Sequence, residues 1–220
     1  MADENAHVYE PRQGHGLRHD PFNAIVGPRP IGWISSRGEG GVANLAPYSF
    51  FNALCYTPPL IGFASTGRKD SLANIEATGE FCWNLATKAL GEQMNLTSAP
   101  APIDVDEFEV AGLTPAPCRL VNAPRILESP VNFECKVAQV LRLQGADGAP
   151  AESWLVIGEV VCVYIDPQYI KDGVYQTAEP HPILRAGRMG DYIEVTPEAA
   201  FEMRRPGWPL PQASDSSSAG

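Results

Sequence analysis

Two strand patterns in the C-terminal half limit the fold of this chain more than any other feature. Val131, Phe133, Cys135 and Val137 alternate with polar residues, which is the period of a strand with one buried side and one side facing water. Residues 155–165 are almost wholly apolar, which predicts a central strand of a barrel. The chain is therefore expected to be mainly β.

Weaker patterns complete this expectation in the N-terminal half. Residues 31–36 and 42–44 flank a glycine-rich turn at 38–41, the mark of an antiparallel hairpin. Residues 60–64 and 81–85 are short apolar runs that predict two more strands. Helical patterns occur at residues 71–78, 88–96 and 105–111. No glycine-rich dinucleotide-binding pattern is present, so a nicotinamide cofactor would have no dedicated fold.

The two ends of the chain differ in composition from the middle. Residues 1–20 are polar and carry three of the four histidines, but their spacing matches no metal-ligand pair, so an N-terminal arm is predicted and no metal site. Residues 206–220 are rich in proline and serine and predict a flexible tail. Because 44% of the residues of the whole chain are hydrophobic, the chain can bury a core, and residues 21–205 are expected to form a single domain.

Charge and cysteine content exclude several classes of function. A net charge of −10 disfavours nucleic acid and anionic membranes as partners, since both require clustered cations. The sequence shows neither a signal peptide nor a membrane-spanning stretch, so a cytoplasmic protein is expected. Five scattered cysteines without a Cys-x-x-Cys pair indicate neither zinc nor a disulfide framework. These are Cys55, Cys82, Cys118, Cys135 and Cys162.

Two segments contain the residues best suited to binding a ligand. Residues 44–52 combine a side-chain amide at Asn44, a proline, a hydroxyl at Ser49 and two phenylalanines, a set suited to the edge of a flat heterocycle. Residues 65–71 gather hydroxyls and two cations immediately before a predicted helix, where free N–H groups and the helix dipole favour a phosphate. The alternatives are ordinary strand and turn residues, and a helix capped by Asp70 or Ser71.

Taken in order along the chain, these motifs resemble the flavin reductase-like, FMN-binding split-barrel family. The resemblance extends over roughly residues 20–195, most of the chain, and is therefore more specific than any single motif. The matching segments are residues 29–36, 44–52, 58–61, 68–75, 79–85, 94–100, 106–108, 111–113, 128–130 and 158–160.

The resemblance implies a split β-barrel with Greek-key, antiparallel strands and a few peripheral helices, a homodimer, and FMN bound near the subunit interface. It implies that the isoalloxazine ring lies along Asn44, Ala46, Pro47, Tyr48, Ser49, Phe51 and Asn52. Contacts to the phosphate are expected from Ser65, Arg68, Lys69 and Ser71, with Ser35 and Ser36 as secondary candidates for the phosphate or ribityl chain. His181, Arg185 and Tyr192 are candidates for contact with the electron donor or acceptor, although an ordinary surface loop explains them equally well.

The implied reaction is hydride transfer from NADH or NADPH to FMN, followed by delivery of electrons to an acceptor or a partner monooxygenase. No catalytic side chain is required, because the cofactor supplies the chemistry and the protein supplies position and exclusion of water. Two alternatives stay open, an electron carrier with tightly held FMN and a flavin-binding module without turnover. Short reductases of the superfamily lack segments that correspond to residues 29–30 and 106–130 of this chain. The resemblance therefore implies FMN binding more directly than reductase activity.

Overall fold

The computed structural model describes residues 6–207, and strands make up most of its regular structure. The strands, numbered in chain order, are β1 (Gly32–Arg37), β2 (Ala43–Tyr48), β3 (Phe51–Cys55), β4 (Leu60–Thr66), β5 (Glu80–Asn84), β6 (Pro115–Ala116), β7 (Arg125–Ile126), β8 (Val131–Gln144), β9 (Pro150–Ile165), β10 (Ile170–Lys171), β11 (Val174–Tyr175), β12 (Ile183–Arg185) and β13 (Tyr192–Glu194). The α-helices are α1 (Phe22–Ile25), α2 (Asp70–Thr78), α3 (Gly91–Leu96) and α4 (Glu107–Ala111).

Seven strands form one antiparallel sheet in the order β2-β1-β5-β8-β9-β4-β3. The other six strands form two-stranded ribbons, β6 with β7, β10 with β11 and β12 with β13. The predicted hairpin is confirmed as the β1–β2 pair, in which Ile34 lies opposite Ala46. Its turn contains Gly41 at φ 86°, a backbone angle that glycine adopts without steric strain.

The main sheet curls on itself into a half-barrel. Tyr48 belongs to β2, at one edge of the sheet, and Phe63 belongs to β4 near the other edge, yet their ring centroids are 4.6 Å apart. The N–H of Ala64 also donates to the carbonyl of Phe50 at 2.8 Å. Helix α2 packs beside this core through the fully buried Leu72 and Ile75. The predicted split barrel, mainly β with a few peripheral helices, is confirmed.

The helix predictions agree with the structure to different degrees. The helix predicted at residues 71–78 is α2, and that predicted at 105–111 is present as the shorter α4. The predicted helix at 88–96 divides into a 3₁₀ turn at Lys88–Leu90 followed by α3. None of the helices within residues 6–207 is both long enough and apolar enough to span a bilayer. Beyond Pro206 and Gly207, the predicted tail lies outside the described residues.

The prediction that β8 has one face toward water is wrong for its first half. Asn132 and Glu134 occupy the polar positions of the alternating pattern, but their side chains are only 1% and 0% exposed. The segment between α4 and β8 covers this face. Glu134 accepts hydrogen bonds from the N–H groups of Arg119 at 2.7 Å and Leu120 at 2.5 Å, and the Asn132 amide donates to the carbonyl of Ile126 at 3.2 Å. The side chains of Asn132 and Glu134 therefore hydrogen-bond to the backbone of the covering segment and do not face solvent.

Candidate functional site

The beginning of α2 lies against the end of β2, so the two segments singled out in the sequence meet. The Ser71 hydroxyl donates to Asn44 Oδ1 at 2.6 Å. Lys69 Nζ lies 5.8 Å from the centroid of the Tyr48 ring. The fold therefore brings residues of the predicted ring-binding and phosphate-binding segments into contact.

The first turn of α2 has no side-chain cap. Its N-cap residue is Lys69, which has an extended backbone and offers no side-chain acceptor to the helix. The alternative that Asp70 or Ser71 caps this helix is therefore wrong. The first backbone hydrogen bond of the helix is donated by Ala73 to the Lys69 carbonyl at 3.0 Å. The N–H groups that precede it have no acceptor within the helix and lie at the positive end of the helix dipole. Such an end fits a phosphate.

The two cations of this segment have different surroundings. Arg68 forms an ion pair with Glu76 and lies over the Trp154 ring, with its Cζ 5.6 Å from the ring centroid. Lys69 is exposed, and within residues 6–207 its amino group makes neither an ion pair nor a hydrogen bond. Lys69 is therefore the cation available to a phosphate, while Arg68 is already bound within the protein.

Tyr48 carries a buried hydroxyl that lacks a hydrogen-bond partner among residues 6–207. Burial raises the pKa of Tyr48, and the nearby hydroxyls of Ser71 and Ser65 offset part of this shift. The Ser65 hydroxyl itself donates to the carbonyl of Gly67 at 3.0 Å. An unpaired buried hydroxyl is costly, a cost that a polar ligand bound at the start of α2 would relieve if it reached this group.

Replacing Tyr48 with phenylalanine tests this interpretation. Because the change removes an unpaired buried hydroxyl, Tyr48→Phe should stabilise the ligand-free protein by about 1 kcal/mol and should weaken FMN binding at the same time. Urea unfolding measured with and without FMN checks both effects. A variant that is less stable than wild type without FMN would show that the hydroxyl has a partner within the protein.

Asn44 and the two secondary serines have their side chains engaged inside the protein. The Asn44 amide donates to both carboxylate oxygens of Glu107, at 3.1 and 3.2 Å, and Ser36 Oγ lies 3.4 Å from Asn44 Oδ1. Ser35 Oγ donates to the carbonyl of Pro124 at 2.5 Å. Contacts from these residues to a ligand would therefore have to come from their backbone.

Glu107 is a site residue that sequence reasoning missed. It lies 7% exposed at the start of α4 and also accepts from the N–H of Leu45 at 3.0 Å. Burial raises the pKa of Glu107, although the bonds from Leu45 and Asn44 act in the opposite direction. The only signal in the sequence was the acidic pair at the helix start, where Asp106 accepts from Phe108 N at 2.8 Å. Glu107 thus fixes β2, the strand along which the predicted ring-binding residues lie.

A cavity of about 240 Å³ adjoins the end of β2. It joins Pro47, Tyr48 and Ser49 to Arg185 and Tyr192 of the C-terminal ribbon, so two of the three C-terminal candidates reach the predicted site. The cavity is also lined by residues not predicted for the site, which are Ile31, Met94, Asn95, Ser98 and Met189. The third candidate, His181, does not line this cavity, and its Nδ1 lies 2.7 Å from Glu194 Oε1.

The remaining predicted ring contacts lie elsewhere around β2 and β3. Phe51 stacks on Trp83 with centroids 5.6 Å apart, and both line a separate, mostly apolar cavity of about 360 Å³ that also includes Asn52. Ala46 is partly buried and packs against the main core. The 240 Å³ cavity does not include these three predicted residues. Across residues 6–207, no cluster of three or more His, Cys, Asp or Glu side chains could hold a metal ion.

A curled antiparallel half-barrel of this kind is the split-barrel fold of flavin reductases. The chain belongs to the family described as flavin reductase like domain, whose model matches residues 27–183. Membership makes the protein a flavin-related oxidoreductase.

Three relatives illustrate this membership. An uncharacterised protein of Halalkalibacterium halodurans is 35% identical over 86% of this chain and 92% of its own length. Nitrilotriacetate monooxygenase component B from Bacillus cereus is 29% identical, with a TM-score of 0.78 over 89% of this chain and 98% of that one. The 2-nitrobenzoate 2-nitroreductase NbaA from Pseudomonas fluorescens is 28% identical, with a TM-score of 0.76 over 87% and 91%.

Proposed function

We propose that this protein binds FMN and transfers electrons from NADH or NADPH, through the flavin, to a small-molecule acceptor or a partner monooxygenase. The observation that carries the proposal is the meeting of Lys69, the uncapped start of α2 and the Tyr48 side chain at the end of β2, a strand whose end also lines the 240 Å³ cavity. A cation and free N–H groups suit the phosphate of FMN. Pro47 and Ser49 line the cavity wall and would flank the ring system.

A bound flavin supplies the redox chemistry by accepting a hydride and passing electrons on. The protein's own residues would bind, orient and exclude water. Lys69 neutralises the phosphate charge, and Tyr48 and Ser49 contribute polar groups at the cavity. None of these residues needs to act as an acid, base or nucleophile, because position decides the rate of such a transfer.

Two features of the relatives support the two acceptor classes in this proposal. One neighbour is by name a component of a monooxygenase system, and the other is by name a nitroreductase acting on 2-nitrobenzoate. The first favours delivery of electrons to a second protein, and the second favours reduction of a small aromatic acid. An electron carrier with tightly held FMN is the second candidate, since residues 6–207 contain no dinucleotide-binding glycine pattern.

The visible absorption spectrum tests this function directly. The purified protein is mixed with FMN, desalted, and then treated with NADH and with NADPH without oxygen. We expect a retained flavin band that bleaches with one of the two nucleotides. A retained band that neither nucleotide bleaches would support the carrier, and the absence of any flavin binding would overturn the proposal.

We further propose that the protein is a homodimer, and that its second copy covers an apolar groove of about 410 Å³ lined by residues of β3, β4 and β9. Tyr56 and Val163 line this groove and are 95% and 48% exposed. Apolar surface of this extent usually marks an interface. Light scattering on the same preparation should give twice the 23.7 kDa chain mass, and a single-chain mass would contradict the dimer.

A further inference from the structure

A second cavity, of about 540 Å³, lies beside the 240 Å³ cavity and shares Ser49, Arg185 and Met189 with it. We call it the arginine cavity, because Arg29, Arg185 and Arg188 all line it. The rest of its lining comes from His19, Asp20, Asn23, Ala24, Ala186 and Gly187. Such a concentration of guanidinium groups stands out in a chain whose net charge is −10.

Two of the arginines are directly opposite each other in the backbone. Arg29 and Arg185 form an isolated antiparallel bridge, and each donates its N–H to the other's carbonyl at 2.8 Å. Side chains of such a pair lie on the same face, where like charges are destabilising. Burial lowers the pKa of Arg29, and the charge of Arg185 lowers it further. The fold therefore holds two positive charges together against their repulsion.

The Arg29 side chain is fixed by neutral partners, with one edge left free. It is only 8% exposed, and it donates from Nε to the Ser49 carbonyl at 3.0 Å and from Nη1 to the carbonyls of Val26, at 2.8 Å, and Asn23. Within residues 6–207, Nη2 makes no hydrogen bond and yet is not sealed from solvent. Arg29 therefore keeps its full positive charge and a donor.

The acidic groups nearby do not neutralise this pair. Asp20 accepts from the N–H of Phe22 at 2.9 Å, and Asp191 is paired with Arg188 at 2.8 Å. Among the described residues, neither Arg29 nor Arg185 forms an ion pair. Arg185 donates instead to the Met189 carbonyl at 2.5 Å and lies over the Tyr192 ring. Two fixed and unneutralised guanidinium groups are a ready receptor for a carboxylate or a phosphate.

We infer that the arginine cavity binds the anionic group, carboxylate or phosphate, of the small molecule that exchanges electrons with the protein. Ser49 links the two cavities, because its carbonyl is held by Arg29 and the residue lines both of them. A ligand anchored by its anion in the arginine cavity would extend its remaining part toward the proposed flavin site. The redox role of this ligand rests on the proposed function, but the binding of the anion does not.

Isothermal titration of the purified full chain with benzoate and with inorganic phosphate, in buffer low in chloride, tests this inference. The variant is Arg185→Gln, because Arg29 anchors the carbonyls of two separate segments, whereas Arg185 donates only to carbonyls of its own loop. The control is Arg125→Gln, which removes another partly buried arginine that lies over an aromatic ring, Tyr164, at 4.6 Å. We expect wild type and the control to bind at least one anion, Arg185→Gln to bind it at least tenfold more weakly, and Arg185→Lys to recover part of the affinity.

Titrations with NADH and NADPH separate the two sources of the anion. A loss confined to benzoate assigns the cavity to a carboxylate-bearing acceptor. A loss for inorganic phosphate together with a nucleotide assigns it to a nucleotide phosphate, the 2′-phosphate if only NADPH is affected and the diphosphate if NADH is affected as well. Equal anion affinity in wild type and Arg185→Gln, or no anion binding by wild type, would overturn the inference. FMN titration is measured separately. If FMN fails to bind while anion binding depends on Arg185, the proposed function falls and the anion site stands.

Discussion

Glu134→Ala should lower the free energy of unfolding by about 3 kcal/mol. The Glu134 side chain is 0% exposed and accepts from the N–H groups of Arg119 and Leu120. Removing it leaves two part-buried backbone donors without their acceptor, at about 1 to 3 kcal/mol each. Urea unfolding followed by tryptophan fluorescence measures the change. The matched control is Glu159→Ala, which removes an exposed glutamate from the neighbouring strand and should alter stability by less than about 0.5 kcal/mol.

The effect of Glu134 should also depend on pH. Burial alone would raise its pKa, but the bonds from Arg119 and Leu120 outweigh burial, so the pKa of Glu134 lies below its usual value. Because the pKa is lower in the folded than in the unfolded state, the stabilisation is complete above the unfolded value and is lost as pH falls through the folded value. The stability gap between wild type and Glu134→Gln should therefore narrow from about pH 7 to below about pH 4. A stability difference that does not change with pH would show that ionisation of the Glu134 carboxylate does not contribute to it.

Lys69→Ala should weaken FMN binding by about 1 to 3 kcal/mol, which is the range for losing a charged hydrogen bond and corresponds to about 5- to 150-fold in Kd. Lys69 is exposed, and among residues 6–207 its amino group is unpaired, so its removal should leave the stability of the ligand-free protein almost unchanged. Quenching of flavin fluorescence measures the affinity. The affinity should also fall with rising salt in wild type and do so less in the variant.

Lys136→Ala provides the matched control for Lys69→Ala. Lys136 is another exposed lysine without an ion pair among the described residues, and it lies on β8 opposite Glu80, next to the C-terminal end of α2 and not its first turn. Its replacement should leave FMN affinity unchanged. If Lys69→Ala and Lys136→Ala bind FMN equally well, Lys69 does not hold the phosphate. A phosphate bound by Arg68 instead would require Arg68 to release Glu76.

The sequence predicted most of the main sheet because its strands have strong local signals. The β1–β2 turn glycines and the apolar runs of β4, β5 and β9 are each readable within a few residues. The surroundings of β8 could not be read in this way. Whether Asn132 and Glu134 face water depends on the segment that covers them, and no local pattern records that contact.

The candidate site was predictable in part for the same reason. The family resemblance and the cations before α2 pointed to Lys69 and Tyr48, which the structure brings together. The roles of Asn44 and Arg68 could not be anticipated, because their partners Glu107 and Glu76 become neighbours only through the fold and the helix surface. The Arg29–Arg185 bridge joins residues near opposite ends of the chain, so the sequence alone does not show that these two arginines are neighbours.

The strand order determines when the barrel can close during synthesis. Strand β4 pairs with β9, so that Leu60 lies opposite Glu159, and the N-terminal strands occupy both edges of the sheet. As the chain leaves the ribosome, the β3–β4 pair must wait without β9 until most of the C-terminal half has emerged. Contacts so distant in sequence slow folding and leave apolar strands open to aggregation. Expression at low temperature or with chaperones should therefore raise the yield of folded protein.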